Sequence, residues 1–214
     1  MPFPWVRFYE SQRPRFEEAR EIAAVHLRHL LYKYKLVHPT EVPTRVSARV
    51  KELSALIRKV RRKERRERIK IQSLRSLQAR VDDLVGARVV CDYLDDIAFL
   101  LGKLSRHHAF RLLPRKREDY IAKPKNGYRG YHLIVALDTG FGRTKCEIQL
   151  QTALQHAWAA KTHTLVYKLR VRDLERIPPQ VRELIVQQSN LLYNVDVMAK
   201  ELRRAVNRYV RRAR

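Results

Sequence analysis

The sequence predicts an α+β fold, a small mixed or antiparallel β-sheet flanked by helices, and three observations carry that expectation. Phe16, Ala19, Ala23, Leu27, Leu30, Tyr34 and Val37 recur at three- and four-residue intervals, the period of one helix face. Short β-branched or alternating runs occupy the middle of the chain, around 84–91, 131–137 and 145–150. Helical spacing returns after Ala153 and again after Pro178.

The first helix follows a proline-interrupted opening and ends before Pro39, because the residue before proline is pushed out of the helical region. Pro39 and Pro43 mark a connector. From 47 to 77 a second helical region carries the basic run from Arg58 to Arg68, most of which must be solvated. The pattern changes at Val81. A strand is expected over 84–91, then a helix over 95–105 through Ile97, Leu100, Leu101 and Leu104. Residues 110–113 read as a further strand, and 131–137 pairs with 145–150 in a hairpin around Asp138-Thr139-Gly140-Phe141-Gly142. In the second hairpin strand Glu147, Gln149 and Gln151 share one face and Cys146, Ile148 and Leu150 the other, since strand side chains alternate. A carboxylate is therefore aimed away from the core. Helices follow over 153–167 and from Pro178 onward, where Pro178 and Pro179 suit a first turn. The organisation is an N-terminal helical segment (1–46), a central α+β domain (47–170) and an Arg-rich C-terminal helical extension (171–214).

The chain has 214 residues with a formal net charge of +24, which implies polyanionic partners such as nucleotides, RNA, DNA or an anionic surface. Cys91 and Cys146 are the only cysteines, both inside apolar strand-like segments, so packing is expected rather than a disulfide or metal site. No apolar run approaches the ~20 residues that span a bilayer, and no secretory signal is visible at the start. The expectation is a soluble cytoplasmic protein without membrane contact.

Several blocks of residues recur in a recognisable order. They are Arg49-Val50-Lys51, Arg58-Lys59, Asp83-Leu84-Val85-Gly86-Ala87-Arg88-Val89, then Asp119 through Arg129, His132, Glu147-Ile148-Gln149, Trp158-Ala159, His163 and Tyr167-Lys168. Together they resemble the synthetase domain of RelA/SpoT-type alarmone synthetases over roughly 47–168. The resemblance implies a nucleotidyltransferase-like fold and transfer of the β,γ-pyrophosphate of ATP to the 3′-hydroxyl of GTP or GDP, releasing AMP. Such a reaction needs Mg²⁺ and many cations to bring two polyphosphates together, an in-line hydroxyl, and a proton acceptor.

Carried over to this chain, the resemblance makes Asp83 and Glu147 the catalytic and Mg²⁺-holding carboxylates, with Glu147 also acting on the 3′-hydroxyl proton. Arg49 and Arg88 would sandwich the adenine, and Lys51, Arg58 and Lys59 would face the ATP phosphates. Tyr128 would stack on the acceptor guanine and His132 would bond near its ribose or phosphates. Lys116, Arg117, Lys123 and Lys125 would meet the acceptor's 5′-phosphates, His156 would stand near the guanine, and Gln149 and His163 would orient the site. Asp83 lies on the opposite side of the alternation from Arg88, so it is expected to precede the regular strand.

The chain departs from the family pattern at Ala55, in a Pro124-Lys125-Asn126-Gly127 loop one residue short, at Gly130-Tyr131, and at Gln151, His156 and Thr162. Most of these bear on the acceptor side, so the donor half is the better kept. Toxic members of the family that move pyrophosphate to the 3′ end of tRNA supply the alternative acceptor, with a neutralising antitoxin as a further partner. A third reading is an RNA-binding module without turnover, against which both carboxylates argue. Small relatives are often homo-oligomers built through terminal helices, and Leu184, Gln188, Leu191, Val195 and Leu202 give the last helix a stripe suited to that.

Overall fold

The computed structural model describes residues 3–37, 45–168 and 177–212. Its centre is a five-stranded sheet in the order β1-β2-β5-β4-β3. The strands are β1 (Arg45–Val50), β2 (Val85–Cys91), β3 (Arg111–Asp119), β4 (Tyr131–Leu137) and β5 (Thr144–Thr152). β2 and β5 run parallel and every other pair antiparallel, so the sheet is mixed, and β4 and β5 form the expected hairpin.

Helices α1 (Trp5–Val37) and α4 (Leu94–Leu104) cover one face of this sheet. Phe16, Leu27, Leu100 and Leu104 are buried there against Val85, Val89, Ile148 and Leu150. Each such side chain withdrawn from water contributes roughly 1.5–3 kcal/mol, which fixes the strand register and therefore what the other face presents. Cys91 and Cys146 are buried free thiols of this core, and burial pushes both well above the ordinary thiol range.

Two expectations are corrected. The region 47–77 is not one helix: residues 45–50 are edge strand β1, followed by α2 (Leu53–Glu67) and α3 (Leu74–Arg80). Arg-Val-Ser-Ala-Arg-Val alternates exposed and half-buried positions along β1, a period of two that its two arginines and lone serine disguise. α2 stops at Arg68, whose φ of 52° is left-handed and whose N–H returns to Glu64 O. α3 restarts on a Ser73/Ser76 capping box. The first helix also begins earlier than expected, at Trp5, running through Pro14 on its exposed side. Tyr9 and Phe16, buried one to either side of Pro14, anchor that continuation.

The last two helices, α5 (Ala153–Lys168) and α6 (Pro179–Arg212), pack on each other beyond β5. Trp158 Nε1 donates to Ile185 O at 3.2 Å and Thr152 Oγ1 donates to Asp196 at 2.6 Å. Among the described residues no helix is long and apolar enough to cross a membrane.

Candidate active site

Register places five of the candidate side chains, Arg49, Arg88, His132, Glu147 and Gln149, on the face opposite α1 and α4. Paired residues on neighbouring strands sit side by side and share a face. One row runs Arg49, Gly86, Glu147 and Ile134 across β1, β2, β5 and β4. The next runs Ser47, Arg88, Gln149, His132 and Glu118. Residues far apart in sequence are thus set beside one another by hydrogen-bonded backbone rather than by loops.

Asp83 precedes β2, as its position in the alternation requires, and turns into the same cleft. Lys51 Nζ lies 2.9 Å from Asp83 Oδ2 and Lys59 Nζ 2.7 Å from Oδ1. The Lys51 backbone is itself held, its N–H donating to Leu84 O at 2.8 Å and its carbonyl accepting from Tyr9 O–H at 2.9 Å. Burial works to raise the Asp83 carboxyl, but the two lysines outweigh it and hold the group below the usual carboxylate range.

Glu147 is one strand away. Burial again works to raise it, and His132 and Gln149 together bring it below its ordinary value, so it is ionised at neutral pH. Gln149 Nε2 donates to Glu147 Oε2 at 2.6 Å. His132 Nδ1 lies 3.6 Å from Oε1, too long for a good hydrogen bond, so its effect is that of a nearby ring. The Gln149 carbonyl accepts from Arg88 at 3.0 Å (Nη2) and 3.2 Å (Nε), so one amide links the guanidinium to the carboxylate.

Asp83 and Glu147 line two adjoining clefts, one of about 130 Å³ with Arg49, Arg88 and Gly86 and one of about 320 Å³ with Lys59, Lys116, Arg117 and His132. The second also holds Lys63 and Asp82, which the sequence reading passed over. Lys63 follows Lys59 by four residues and so shares its helix face, a signal present in the sequence but masked by the surrounding basic run. Asp82 pins two cations, Lys116 at 2.6 Å and Lys145 at 3.0 Å. Lys116 is therefore ion-paired at the cleft wall.

The acceptor-side candidates gather around a tight turn. Asn126 and Gly127 both have positive φ (51° and 81°), and Lys125 and Tyr128 exchange backbone hydrogen bonds across it, the geometry an Asn-Gly pair favours. Gly127 is also pressed close: a Cβ there would lie 2.8 Å from the Trp158 ring. The turn delivers Tyr128, whose hydroxyl meets His132 Nε2 at 2.6 Å, while Tyr120 packs edge-on against both rings. Burial pushes the Tyr128 hydroxyl far above its ordinary range, so it remains a neutral donor.

Two of the departures from the family pattern are coupled here. Gln151 is fully buried and donates to Arg129 O at 3.0 Å and to the Tyr128 hydroxyl at 3.3 Å. A Cβ at Gly130 would lie 3.1 Å from Gln151 Cγ, so glycine at 130 makes room for the amide at 151.

Other candidates fall elsewhere. Arg58 is exposed and lines neither cleft, one residue around α2 from Lys59. Lys123 and Lys125 are exposed on the approach to the tight turn. His163 is exposed on α5 and lines neither cleft. His156 sits against Arg88, Nδ1 to Nη1 at 3.2 Å, which puts it beside the donor-assigned guanidinium rather than beside Tyr128. Burial and the charges of Arg88 and Arg45 hold its imidazole below the usual range, so it accepts that hydrogen bond as a neutral ring.

Known proteins resemble this chain in sequence and in fold. Residues 48–172 match the family described as a region found in RelA / SpoT proteins. The chain is 30% identical over 207 residues to the GTP pyrophosphokinase YjbM of Bacillus subtilis (strain 168), covering 93% of this chain and 88% of that one. It is 27% identical over 169 residues to the GTP pyrophosphokinase YwaC of the same organism, covering 77% and 75%. Among solved structures, the small alarmone synthetase 1 from Bacillus subtilis bound to its product pppGpp superposes with a TM-score of 0.73 at 28% identity, covering 95% of this chain and 98% of that one. The matched span contains both carboxylates and every strand of the cleft from β2 onward, and the chain belongs to the RelA/SpoT family.

Proposed function

We propose that this chain is an alarmone-synthesising GTP pyrophosphokinase, moving the β,γ-pyrophosphate of ATP to the 3′-hydroxyl of GTP or GDP. The observation that carries the reading is the convergence of Asp83 and Glu147 on one pair of clefts, with lysines on one side and the Arg88–Gln149 link on the other. It is supported by a relative named a GTP pyrophosphokinase and by a similar structure bound to pppGpp.

In this reading ATP lies over β1 and β2. Arg49 and Arg88 are diagonal neighbours across the strand pair, roughly 7–8 Å apart at Cα, which leaves room for one planar ring at ~3.5–4 Å from each guanidinium. Lys51, Lys59 and Lys63 then take the phosphates. The acceptor guanine rests against Tyr128, and its 3′-hydroxyl approaches Glu147. The hydroxyl oxygen forms a bond to the β-phosphorus as the bond from that phosphorus to the α–β bridging oxygen breaks, and AMP leaves with the bridging oxygen. The hydroxyl proton passes to Glu147, which is ionised beforehand and kept in place by the Gln149 amide.

Mg²⁺ suits this donor set, since it accepts one or two carboxylates and fills its remaining positions with water and phosphate oxygens. Asp83 Oδ1 is buried without an aligned hydrogen-bond donor, although the Lys59 ammonium is close. Asp83 and Glu147 would hold the ion, and it would neutralise phosphate charge as the two polyphosphates meet.

A second acceptor, the 3′ end of tRNA, is favoured by the exposed arginines of α2 beside the donor cleft, Arg61, Arg62, Arg65 and Arg66. The deciding experiment supplies γ-labelled ATP and Mg²⁺ with GDP, GTP or deacylated tRNA in parallel. Label on the guanosine nucleotides supports the reading, and label on tRNA alone sinks it.

The protein is also proposed to self-associate through α6. Val181, Leu184, Leu191, Val195, Met198, Leu202 and Tyr209 are all exposed and fall on a seven-residue repeat whose two remaining positions are Gln188 and Ala205. A second copy of the same helix would cover that seam.

A further inference from the structure

We propose that His26, His107 and His108 form a binding site for a transition-metal ion of the imidazole-preferring class, such as Zn²⁺, separate from the catalytic clefts. His26 comes from the middle of α1, and the other two from the turn between α4 and β3. One ring nitrogen from each lies within 4.8 Å of the others, so small side-chain rotations bring all three onto one ion. The rings already crowd together, His107 and His108 at 4.6 Å and His26 at 5.1 and 5.5 Å from them.

Both backbones that carry the trio are fixed. Leu27, beside His26, is 1% exposed, and Phe110, two residues past His108, is 3% exposed and donates its N–H to His107 O at 3.0 Å. A cavity of about 1010 Å³ opens in front of the rings, leaving room for water or a small ligand as a fourth donor, the arrangement of an open three-histidine site.

The charges around the site select the kind of ligand. Lys33, Lys103 and Arg106 border the cavity, with His29 beside them, and among the described residues no carboxylate does. That surround gives a hard, oxygen-seeking ion such as Mg²⁺ nothing to hold, whereas neutral imidazoles suit Zn²⁺, Ni²⁺ or Cu²⁺. Burial first, and the neighbouring histidines second, hold His26 and His107 below the ordinary imidazole range, so both offer lone pairs at neutral pH. Lys33, Lys103 and Arg106 make an anion the competing ligand, which the phosphate arm of the test distinguishes. His107 Nδ1 accepts the Ala109 N–H at 3.2 Å, a long bond that coordination through Nε2 gives up as the ring proton moves to Nδ1. A bound ion would clamp α1 to the segment entering β3, the strand that carries Lys116 and Arg117 into the catalytic cleft.

The test is calorimetric titration of the full chain with Zn²⁺ in the presence of millimolar Mg²⁺, beside His108→Ala and His26→Ala, with thermal melts of all three. His108 is exposed, so its replacement leaves the fold intact. One Zn²⁺ per chain, weakened at least tenfold by either substitution and raising the melting temperature of the unaltered chain alone, is expected. Equal Zn²⁺ affinity in all three proteins overturns the proposal. So does a melt that inorganic phosphate raises and Zn²⁺ does not.

Discussion

Gly86 separates the contribution of the cleft from that of the fold. It lies in β2 between Arg49 and Glu147, and a Cβ built there meets no atom within 4 Å. In a strand interior glycine costs roughly 0.5–1 kcal/mol relative to alanine, and valine fits a pleated strand better still. Gly86→Val should therefore leave stability unchanged or raise it by up to about 1 kcal/mol. The same isopropyl group projects into the cleft shared by Arg88 and Glu147. Displacing the donor by about an ångström is enough to cost roughly 100-fold in rate, which is ~2.7 kcal/mol of transition-state stabilisation. Gly86→Ala, with one methyl, should lose less. AMP release at several ATP concentrations, with thermal melts of the same preparations, gives both numbers. Full turnover in Gly86→Val would mean that substrate does not use this cleft, and a fall in stability would mean that the space is not open.

The remaining expectations concern the supports of the site. Gly127→Ala combines a left-handed backbone, about 1–2 kcal/mol, with overpacking against Trp158, about 1–3 kcal/mol, so chemical denaturation should show a loss of about 2–5 kcal/mol. A loss under ~0.5 kcal/mol contradicts the turn geometry. Asp196 is raised to about 6, by burial against the lowering influence of Thr152 and Arg129. An acid raised on folding stabilises below its unfolded pKa of about 3.9, and that contribution is lost as pH rises through the folded value. Asp196→Asn should therefore flatten the melting profile between about pH 4 and pH 6, and an unchanged slope rules Asp196 out as its source. Leu191→Asp with Leu202→Asp should convert an α6-mediated oligomer to monomer in sedimentation, because both side chains are about two-thirds exposed (66%) and carry no weight in the monomer's own core. An unchanged sedimentation coefficient places the seam elsewhere.

The strands that carry the chemistry were the legible part of the sequence. Val85–Cys91 and residues 144–150 alternate cleanly, and that alternation alone set Glu147 and Gln149 away from the core and Asp83 ahead of β2, whereas Gln151, expected on the same face as Glu147, is buried. β1 was missed because polar residues, Arg45, Ser47 and Arg49, take every exposed position, and that local composition resembles the basic helix after it. Arg49 faces the cleft through pairing with Gly86, a long-range partnership that no local pattern announces. The pinning of Lys116 and Lys145 by Asp82 is of the same kind, since the three lie on separate elements. His156 illustrates the limit of carrying a role over by motif: the position was readable, but its contact with Arg88 depends on how α5 leaves β5. Gly130 and Gln151 looked like two departures, and packing makes them one.

The central claim is that the Asp83–Glu147 cleft transfers an intact pyrophosphate group. It is tested most directly with ATP labelled at both the β- and γ-phosphates, incubated with GTP or GDP and Mg²⁺ and compared with the same reaction by Glu147→Gln. The expected product carries both labels in equal amount with one AMP released per transfer, and the substituted enzyme falls at least ~100-fold while binding ATP as before. Transfer of the γ label alone, or undiminished turnover in Glu147→Gln, would contradict the account.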